Sequence, residues 1–379
     1  MVVTERRKLR VGVLFGGRSS EHEVSLMSAR SVLDALDRDA YEVVQIGVTK
    51  EGRWLVAPDA VDRLIERAEG GALAGDVEGT EPVALVADPS RPAALVREEA
   101  GGALPGPLAE PLDVVFPLIH GRTGEDGALQ GLLDLAHVAY VGAGVTGSAV
   151  GMDKAISKAV WRAEGLPVGP YLVVAAGEWS EGAGRWKGEI ATRLGFPCFV
   201  KPANSGSSIG VTKVHGIDEL EGSMEEALAY DAKALVEGAI VGRELEVAVL
   251  GNDEPEASVV GEVVPGHEFY DYEDKYFDDA VRLEIPADLP EEKAAEVRDL
   301  AIRAFRAVDA AGMARVDFFL AGDGTVYLNE INTIPGFTKM SMYPRLWDAT
   351  GVPFGKLCDR LIALAVERRA ERDRLRETR

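Results

Sequence analysis

Glu330 and Asn332 stand two positions apart at the end of the run YLNEIN (327–332). In a strand, residues i and i+2 point to the same face, so a carboxylate and a carboxamide are delivered together. Just upstream, RVDFFL (315–320) and TVYLNEIN (325–332) flank AGDG, and an Asp-Gly pair between alternating runs signals a β-hairpin. With Asp323-Gly324 as a two-residue loop, Asp317 lies opposite Glu330 and Arg315 opposite Asn332, all four on one face. Two carboxylates directly across a ladder repel unless a cation sits between them. Hard oxygen donors at this spacing suit Mg²⁺ or Mn²⁺, which keep waters and take substrate phosphates as further ligands. The competing reading is a solvated strand face with ordinary surface charges, and a one-residue slip in register would break the constellation.

A metal of this kind implies a nucleotide, and FVKPANSGSSIGV (199–211) offers a place for its phosphates. A strand brings in Lys201, and a loop of small residues follows, with Gly206, Ser207, Ser208 and Gly210. Such a loop can turn several backbone N–H groups toward an anion, with serine hydroxyls as added donors. It is neither a Walker A sequence nor a dinucleotide fingerprint, and alone it is better explained by a plain turn; the strand-borne lysine before it and the hairpin after it favour the phosphate reading.

The elements around these groups are those of an α/β protein. RVGVLF (10–15) reads as a buried strand running into Gly16-Gly17, a helix from about Val24 to Leu36 follows, and YEVVQIGVTK (41–50) is a second strand, a doubly wound β-α-β opening. The stretch 69–111, rich in Gly, Ala, Pro and Glu, reads as a loop-rich insertion. LDVVFPLIHG is another buried strand, ending in GRTGEDG. A helix is expected over Met152–Gly165, with Asp153 as N-cap and Ile156, Ala159, Val160 and Ala163 as its apolar stripe. Later elements are strands at Leu235–Glu237 and Glu244–Leu250, a helix over Glu291–Ala310 and a last helix over Pro353–Arg368.

With 379 residues, two or three domains are expected. The net charge of −22 argues against nucleic acid and anionic membranes as partners, though not against anionic small substrates. Cys198 and Cys358 each lie in apolar surroundings and read as buried, inert thiols. No stretch approaches the ~20 apolar residues of a membrane span, and the N-terminus lacks the apolar core of a leader, so a cytoplasmic protein is expected.

Taken together, GGRSSEHEVSL (16–26), HGRTGEDGALQGLL (120–133), MDKAISK (152–158), VKPANSGSSIGV, YDYEDKY (270–276), RVDFF and LNEINTIPGFTKMSMYP (328–344) resemble the D-alanine–D-alanine ligases of the ATP-grasp superfamily over nearly the whole chain. The resemblance implies an α/β ATP-grasp fold with an N-terminal domain over 1–142, including the 69–111 insertion, a central subdomain over 143–236 and a C-terminal one over 237–379. It implies ATP-dependent joining of two D-alanines through a D-alanyl phosphate, for peptidoglycan, in a bacterial cytoplasm, by a homodimer with two Mg²⁺ or Mn²⁺ ions. Lys154, Lys201 and Ser208 match phosphate-binding positions, and Glu237 and Glu244 match positions near adenine and ribose. Gly238 stands where many relatives carry lysine, a contact often made through the backbone. Asp317, Glu330 and Asn332 match the metal ligands, while Arg315 and the N–H of Gly336 match the oxyanion donors. Glu21 is matched to the first substrate's ammonium, within a set including Ser207 and Tyr276, with His120 close by. Ser341 and Lys275 are matched to the carboxylate of the second substrate.

Without the resemblance, Glu21 is equally a helix cap and His120 a strand-end histidine. The stretch 265–282 is expected to act as a lid, and its Tyr276 points to amide formation over the ester made with D-lactate. Rival readings are an ester-forming or other ATP-grasp carboxylate–amine ligase and a non-catalytic nucleotide-binding protein. A dinucleotide-binding start at RVGVLFGG is disfavoured because G-x-G-x-x-G is absent.

Overall fold

The computed structural model describes residues 7–69, 77–91, 93–97, 110–264 and 282–375. Lys275, Tyr276 and nearly all of the expected lid lie outside them. In chain order the elements are β1 (Leu9–Gly16), α1 (His22–Ala35), β2 (Tyr41–Val48), β3 (Trp54–Val56), α2 (Ala60–Glu69), β4 (Glu81–Leu85), β5 (Leu95–Arg97), β6 (Val114–Pro117), α3 (Ala128–Leu135), β7 (Ala139–Tyr140), α4 (Val145–Met152) and α5 (Lys154–Ala163). Then come β8 (Tyr171–Ala175), α6 (Ala176–Arg193), β9 (Cys198–Pro202), β10 (Thr212–Val214), α7 (Leu220–Tyr230), β11 (Lys233–Gly238), β12 (Gly242–Gly251), β13 (Glu256–Val264), β14 (Arg282–Glu284), α8 (Glu291–Ala307), β15 (Gly312–Ala321), β16 (Val326–Asn332), α9 (Met342–Ala349) and α10 (Phe354–Arg372).

Three sheets organise these elements. The first has the order β5-β4-β3-β2-β1-β6-β7, with β2, β1, β6 and β7 parallel and the other three antiparallel. Its central strand β1 is buried on both faces, which is why RVGVLF is a continuous apolar run. Part of the expected 69–111 loop is therefore sheet: β4 and β5 extend this edge, with Val83 and Leu95 buried. The alternation in EPVAL was masked by the surrounding Gly, Ala and Pro.

A four-stranded antiparallel sheet (β10-β9-β11-β8) and a five-stranded antiparallel sheet (β14-β13-β12-β15-β16) follow. On β12 and β15, Leu245, Val247, Val249, Ala314, Val316 and Phe318 pack with Val297, Ala301 and Phe305 of α8. The opposite face carries Ala248, Leu250 and Met313 into a core shared with β1, α1, β6 and α10. Helix α10 thus returns to the first sheet and buries Leu357, Cys358, Leu361 and Ile362, each full aliphatic burial contributing roughly 1.5–3 kcal/mol. Cys198 is buried as well, so both thiols are interior.

The helix expected over Met152–Gly165 is α5, and a second helix, α4, ends at Met152 just before it. Asp153 separates them in an extended conformation and caps α5, accepting from the N–H groups of Ala155 and Ile156, each at 3.1 Å. The expected stripe on α5 is not the buried one: Ile156, Ala159 and Ala163 are exposed, while Ala155, Ser157, Lys158 and Trp161 are buried. An apolar-periodicity reading cannot find an inward face that carries a lysine.

Candidate active site

The hairpin of β15 and β16 reaches the expected pairing by a different route. Its loop has three residues, Gly322-Asp323-Gly324, closed by Ala321 N–H to Thr325 C=O at 2.9 Å, with Gly324 at φ +87°. Near the loop Leu320 pairs with Val326 and Phe318 with Leu328, one residue out of the register that a two-residue loop gives. A bulge that absorbs Asn329 then restores it, so Asp317 faces Glu330 and Arg315 faces Asn332. The bulge sets which way Glu330 points. Val326, Leu328 and Ile331 all face the α8 core, spaced two and then three apart. An unbroken strand would turn Glu330 into that core.

The four side chains meet. Arg315 donates from Nε and Nη2 to the two oxygens of Asp317, both at 2.7 Å, and Nδ2 of Asn332 donates to Asp317 at 2.9 Å. Glu330 lies 3.2 Å from Nζ of Lys154. The repulsion expected across the ladder is thus met by cations at the sides, Arg315 on Asp317 and Lys154 on Glu330. Next to them on β12 is Glu246, in register with Asp317 and 3.0 Å from Arg315. Glu246, Asp317 and Glu330 so form a row over three adjacent strands.

Opposite stands the four-stranded sheet, whose charges centre on Glu237. One of its oxygens is 2.8 Å from Nζ of Lys158 and the other is ion-paired to Lys201. Burial pushes the Glu237 carboxyl up, but the charges of the two lysines outweigh it and hold its pKa at about 2. Burial, helped by the charge of Lys201, lowers the Lys158 ammonium against the pull of Glu237. For Lys201 burial also acts downward, and the charges of Glu237 and Glu330 more than offset it, so its pKa is raised.

The loop after β9 is held by Ile209 N–H to Gly206 C=O and Val211 N–H to Ser208 C=O. Ser207 and Ser208 both take positive φ, +51° and +56°, a conformation that costs a non-glycine residue about 1 kcal/mol or more. Lys154 donates to the carbonyl of Ser205 at 2.7 Å, tying α5 to this loop.

Both walls and the segments that follow β1 and β6 line one cavity of about 700 Å³. It is bordered by Glu21, His120, Lys154, Lys201, Ser207, Ser208, Glu237, Glu244, Arg315, Asp317, Glu330, Asn332 and Gly336, with Phe199, Ile240 and Phe319 as an apolar part. That volume is within the usual range for small-molecule sites. Ser341 stands behind Gly336: a Cβ on that glycine would be 3.2 Å from the Ser341 hydroxyl, which accepts from Thr338 N–H at 3.1 Å.

Glu21 is the residue before α1, yet its side chain makes no capping bond, which removes the capping explanation. Its carboxylate points to Gly121 and Gly206: a Cβ added to either would lie 3.1 and 3.6 Å from Oε2. His120 is buried, and Nδ1 must donate to the carbonyl of Ile334 at 2.9 Å, because a carbonyl only accepts. Nε2 then accepts from the hydroxyl of Ser28 at 3.1 Å, and that hydroxyl oxygen receives Phe337 N–H at 3.4 Å. Burial lowers the His120 pKa, consistent with this neutral tautomer.

Glu125 completes the clamp on the 333–337 loop. Its oxygens accept Gly121 N–H and Ile334 N–H, both at 3.0 Å, and burial, then the charge of Glu21, pushes its pKa up to about 8. Lys158, Glu125 and Glu246 were missed as site residues. Glu246 had a signal: in RELEV the carboxylates alternate with apolar residues as Arg315 and Asp317 do. Glu125 and Lys158 had none in spacing or composition.

No group of three His, Cys, Asp or Glu side chains placed to hold a metal occurs among the described residues. The proposed ligands include only two of those types. Asp317, Glu330 and the amide oxygen of Asn332 nevertheless share one face as hard oxygen donors, a set that fits Mg²⁺ with phosphate and water completing the shell.

Comparison with known proteins places these features in context. Residues 10–143 match the family model described as D-ala D-ala ligase N-terminus, and residues 160–363 match D-ala D-ala ligase C-terminus. The D-alanine–D-alanine ligase of Geobacillus thermodenitrificans is 47% identical over 98% of this chain and 99% of its own length. That of Streptomyces griseus is 48% identical, covering 96% and 94%. Among solved structures, the D-alanine–D-alanine ligase of Coxiella burnetii aligns with a TM-score of 0.82 at 35% identity, over 97% of each chain. The VanG D-Ala:D-Ser ligase of Enterococcus faecalis aligns with a TM-score of 0.83 at 32% identity, over 95% of this chain and 100% of its own.

Proposed function

The chain belongs to the D-alanine–D-alanine ligase family, and on that premise we propose that it joins two D-alanines with ATP through a D-alanyl phosphate. The observation that carries this reading is one cavity with lysines on one wall, the Arg315–Asp317–Glu330–Asn332 face on the other, and Glu21 with His120 at its end.

A carboxylate is a poor electrophile with a poor leaving group, so it must be activated. An oxygen of the first D-alanine bonds to the γ-phosphorus, the bond to the β-phosphate oxygen breaks, and ADP departs. Phe199, Ile240 and Phe319 offer an apolar slot for adenine, with Glu244 beside it for ribose. The N–H of Gly238 is spent on the carbonyl of Pro170, at 3.1 Å. Lys154, Lys201 and the loop bearing Ser207 and Ser208 take the phosphates. Lys154 and Lys201 now rest on Glu330 and Glu237, so these pairs rearrange when an anion enters. Mg²⁺ or Mn²⁺, as two ions, would be held by Asp317, Glu330 and Asn332 and would supply charge neutralisation at the transferring phosphoryl group.

Glu21 holds the ammonium of the first D-alanine, with Ser207 and Tyr276 completing that set, and His120 stands at the same end. The second amine attacks the acyl phosphate, and the tetrahedral oxyanion is met by Arg315 and Gly336 N–H before phosphate leaves. The clamp of His120, Ser28 and Glu125 on residues 333–337 fixes where that N–H points. Ser341, adjacent to Gly336, and Lys275 receive the second carboxylate. An amide product is proposed, for peptidoglycan, on the side of the membrane that holds ATP. No helix among the described residues is long and apolar enough to cross a membrane. A homodimer is proposed as well, and light scattering at the mass of one chain would overturn it.

The test is phosphate release from Mg²⁺-ATP with D-alanine, L-alanine, and D-alanine mixed with D-serine or D-lactate, with products identified. Release with D-alanine alone, giving the dipeptide, is expected. Preference for the D-serine or D-lactate mixture would move the protein to a sister activity, and ATP binding without release under any condition would leave a nucleotide binder.

A further inference from the structure

Arg315 is held by two carboxylates. Asp317, on its own strand, takes Nε and Nη2 at 2.7 Å each, and Glu246 reaches Nε from β12 at 3.0 Å. The Glu246 side chain is 9% exposed, drier than that of Arg315 at 17%. A carboxylate taken this far from water is costly unless a cation compensates it. Its neighbours on β12, Leu245 and Val247, turn into the α8 core, so the strand's alternation delivers Glu246 to the cleft face.

Asp317 is asked to do two things. Its oxygens receive Arg315 in this structure, and they belong to the oxygen set assigned to the divalent cation. A cation drawn to those oxygens competes with the guanidinium for the same lone pairs and repels it. Glu246 lies one strand further from Glu330, on the far side of Asp317. We propose that Glu246 is a positioning residue for Arg315, the counter-charge that keeps the guanidinium on the cleft floor once Asp317 is engaged elsewhere. This rests on the ligase reading above. Glu246 touches no reacting atom; it acts through Arg315.

The experiment compares wild type, Glu246→Gln, Arg315→Lys and the double variant. In Glu246→Gln, kcat is expected to fall about 10- to 100-fold. KM for ATP and for D-alanine should stay within about threefold, since neither nucleotide nor ammonium contacts are altered. In the metal-free protein, the Arg315 Nε–H resonance should shift and exchange faster with water. In the Arg315→Lys background the same substitution should cost less than about threefold more, because partners in one chain of action are not additive. If Glu246→Gln does not fold, Glu246→Asp carries the test. It keeps the charge but withdraws it by one methylene, and the same kcat loss is expected.

Unchanged kcat, full multiplication of the two losses, or a loss shared equally by kcat, ATP KM and melting temperature would each overturn the proposal. Wild type that makes no dipeptide, or Arg315→Lys with full activity, would instead strike the ligase reading itself.

Discussion

The two walls of the cleft handle charge in opposite ways. On the four-stranded sheet a single carboxylate, Glu237, lies between two lysines. On the five-stranded sheet three carboxylates, Glu246, Asp317 and Glu330, line up on neighbouring strands, with Arg315 against two of them. The first wall can meet a polyphosphate directly. The second can meet it only through a cation, which is the physical case for a divalent metal there and not opposite. The walls also differ in how they are built. The anionic one is a register effect, set by a loop and a bulge. The cationic one is a burial effect, in which Lys158 is sealed inside a helix face by its partner.

Removing the bulge should break this contrast most completely. Inserting an alanine between Asp317 and Phe318, opposite Asn329, makes the ladder regular, so that Glu330 shares the face of Val326 and Leu328 and turns toward the α8 core. Phosphate release dependent on D-alanine should drop to background, with a fall in melting temperature for the buried charge. Retained activity would show that the bulge does not aim Glu330. Next in size, Asp317→Asn and Glu330→Gln remove one charge each without changing shape. Either should cost about 10²–10³-fold in turnover. Melting temperature should change far less than turnover, because the ion pair given up to Arg315 or Lys154 is partly offset by the repulsion lost from the row. Equal sensitivity of activity and stability would mean the row is structural.

The anionic wall was largely legible in the sequence because β-structure has a short period. Asp323-Gly324 located the turn, and alternation put Arg315, Asp317, Glu330 and Asn332 on one face. The loop was one residue longer than expected, and the bulge cancelled the error. The irregular spacing of Val326, Leu328 and Ile331 carried that information. The cationic wall was less legible. Lys201 could be read from its strand, but Lys158 could not, since helix reading assumes an apolar inward face and chose Ile156 and Ala159 instead. The clamp of Ser28, His120 and Glu125 on residue 334 and its neighbours joins segments more than two hundred positions apart, beyond any local pattern. Likewise β4 and β5 depend on a sheet edge that only tertiary structure supplies.

Stability measurements sharpen the cationic side. Glu237→Gln leaves two buried lysines without their shared partner and should destabilise by about 3–5 kcal/mol. Lys158→Met leaves Glu237 still paired to Lys201, so a loss of under about 2 kcal/mol is expected, with ATP KM raised. Denaturant unfolding of the pair of variants decides it: equal losses would mean that Glu237 is not the hub.

The smallest effect comes from Glu125, a buried carboxyl for which neither wall supplies an ion pair among the described residues. Two N–H groups hold it, and its pKa stands at about 8 in the fold against 4.5 as the ordinary value. The native state therefore keeps the proton longer than the unfolded chain. Its contribution to stability is fully present below about pH 4.5 and is lost as pH rises through about 8. Glu125→Gln stays neutral throughout and lacks this slope, while losing one acceptor for a backbone N–H. The melting-temperature gap, wild type minus variant, should be widest near pH 5 and close toward pH 8. A gap that is flat over this range would mean that Glu125 is ionised in the fold, with a cation compensating it as Lys158 and Lys201 compensate Glu237. The distinction drawn between the paired walls and this unpaired corner would then fail.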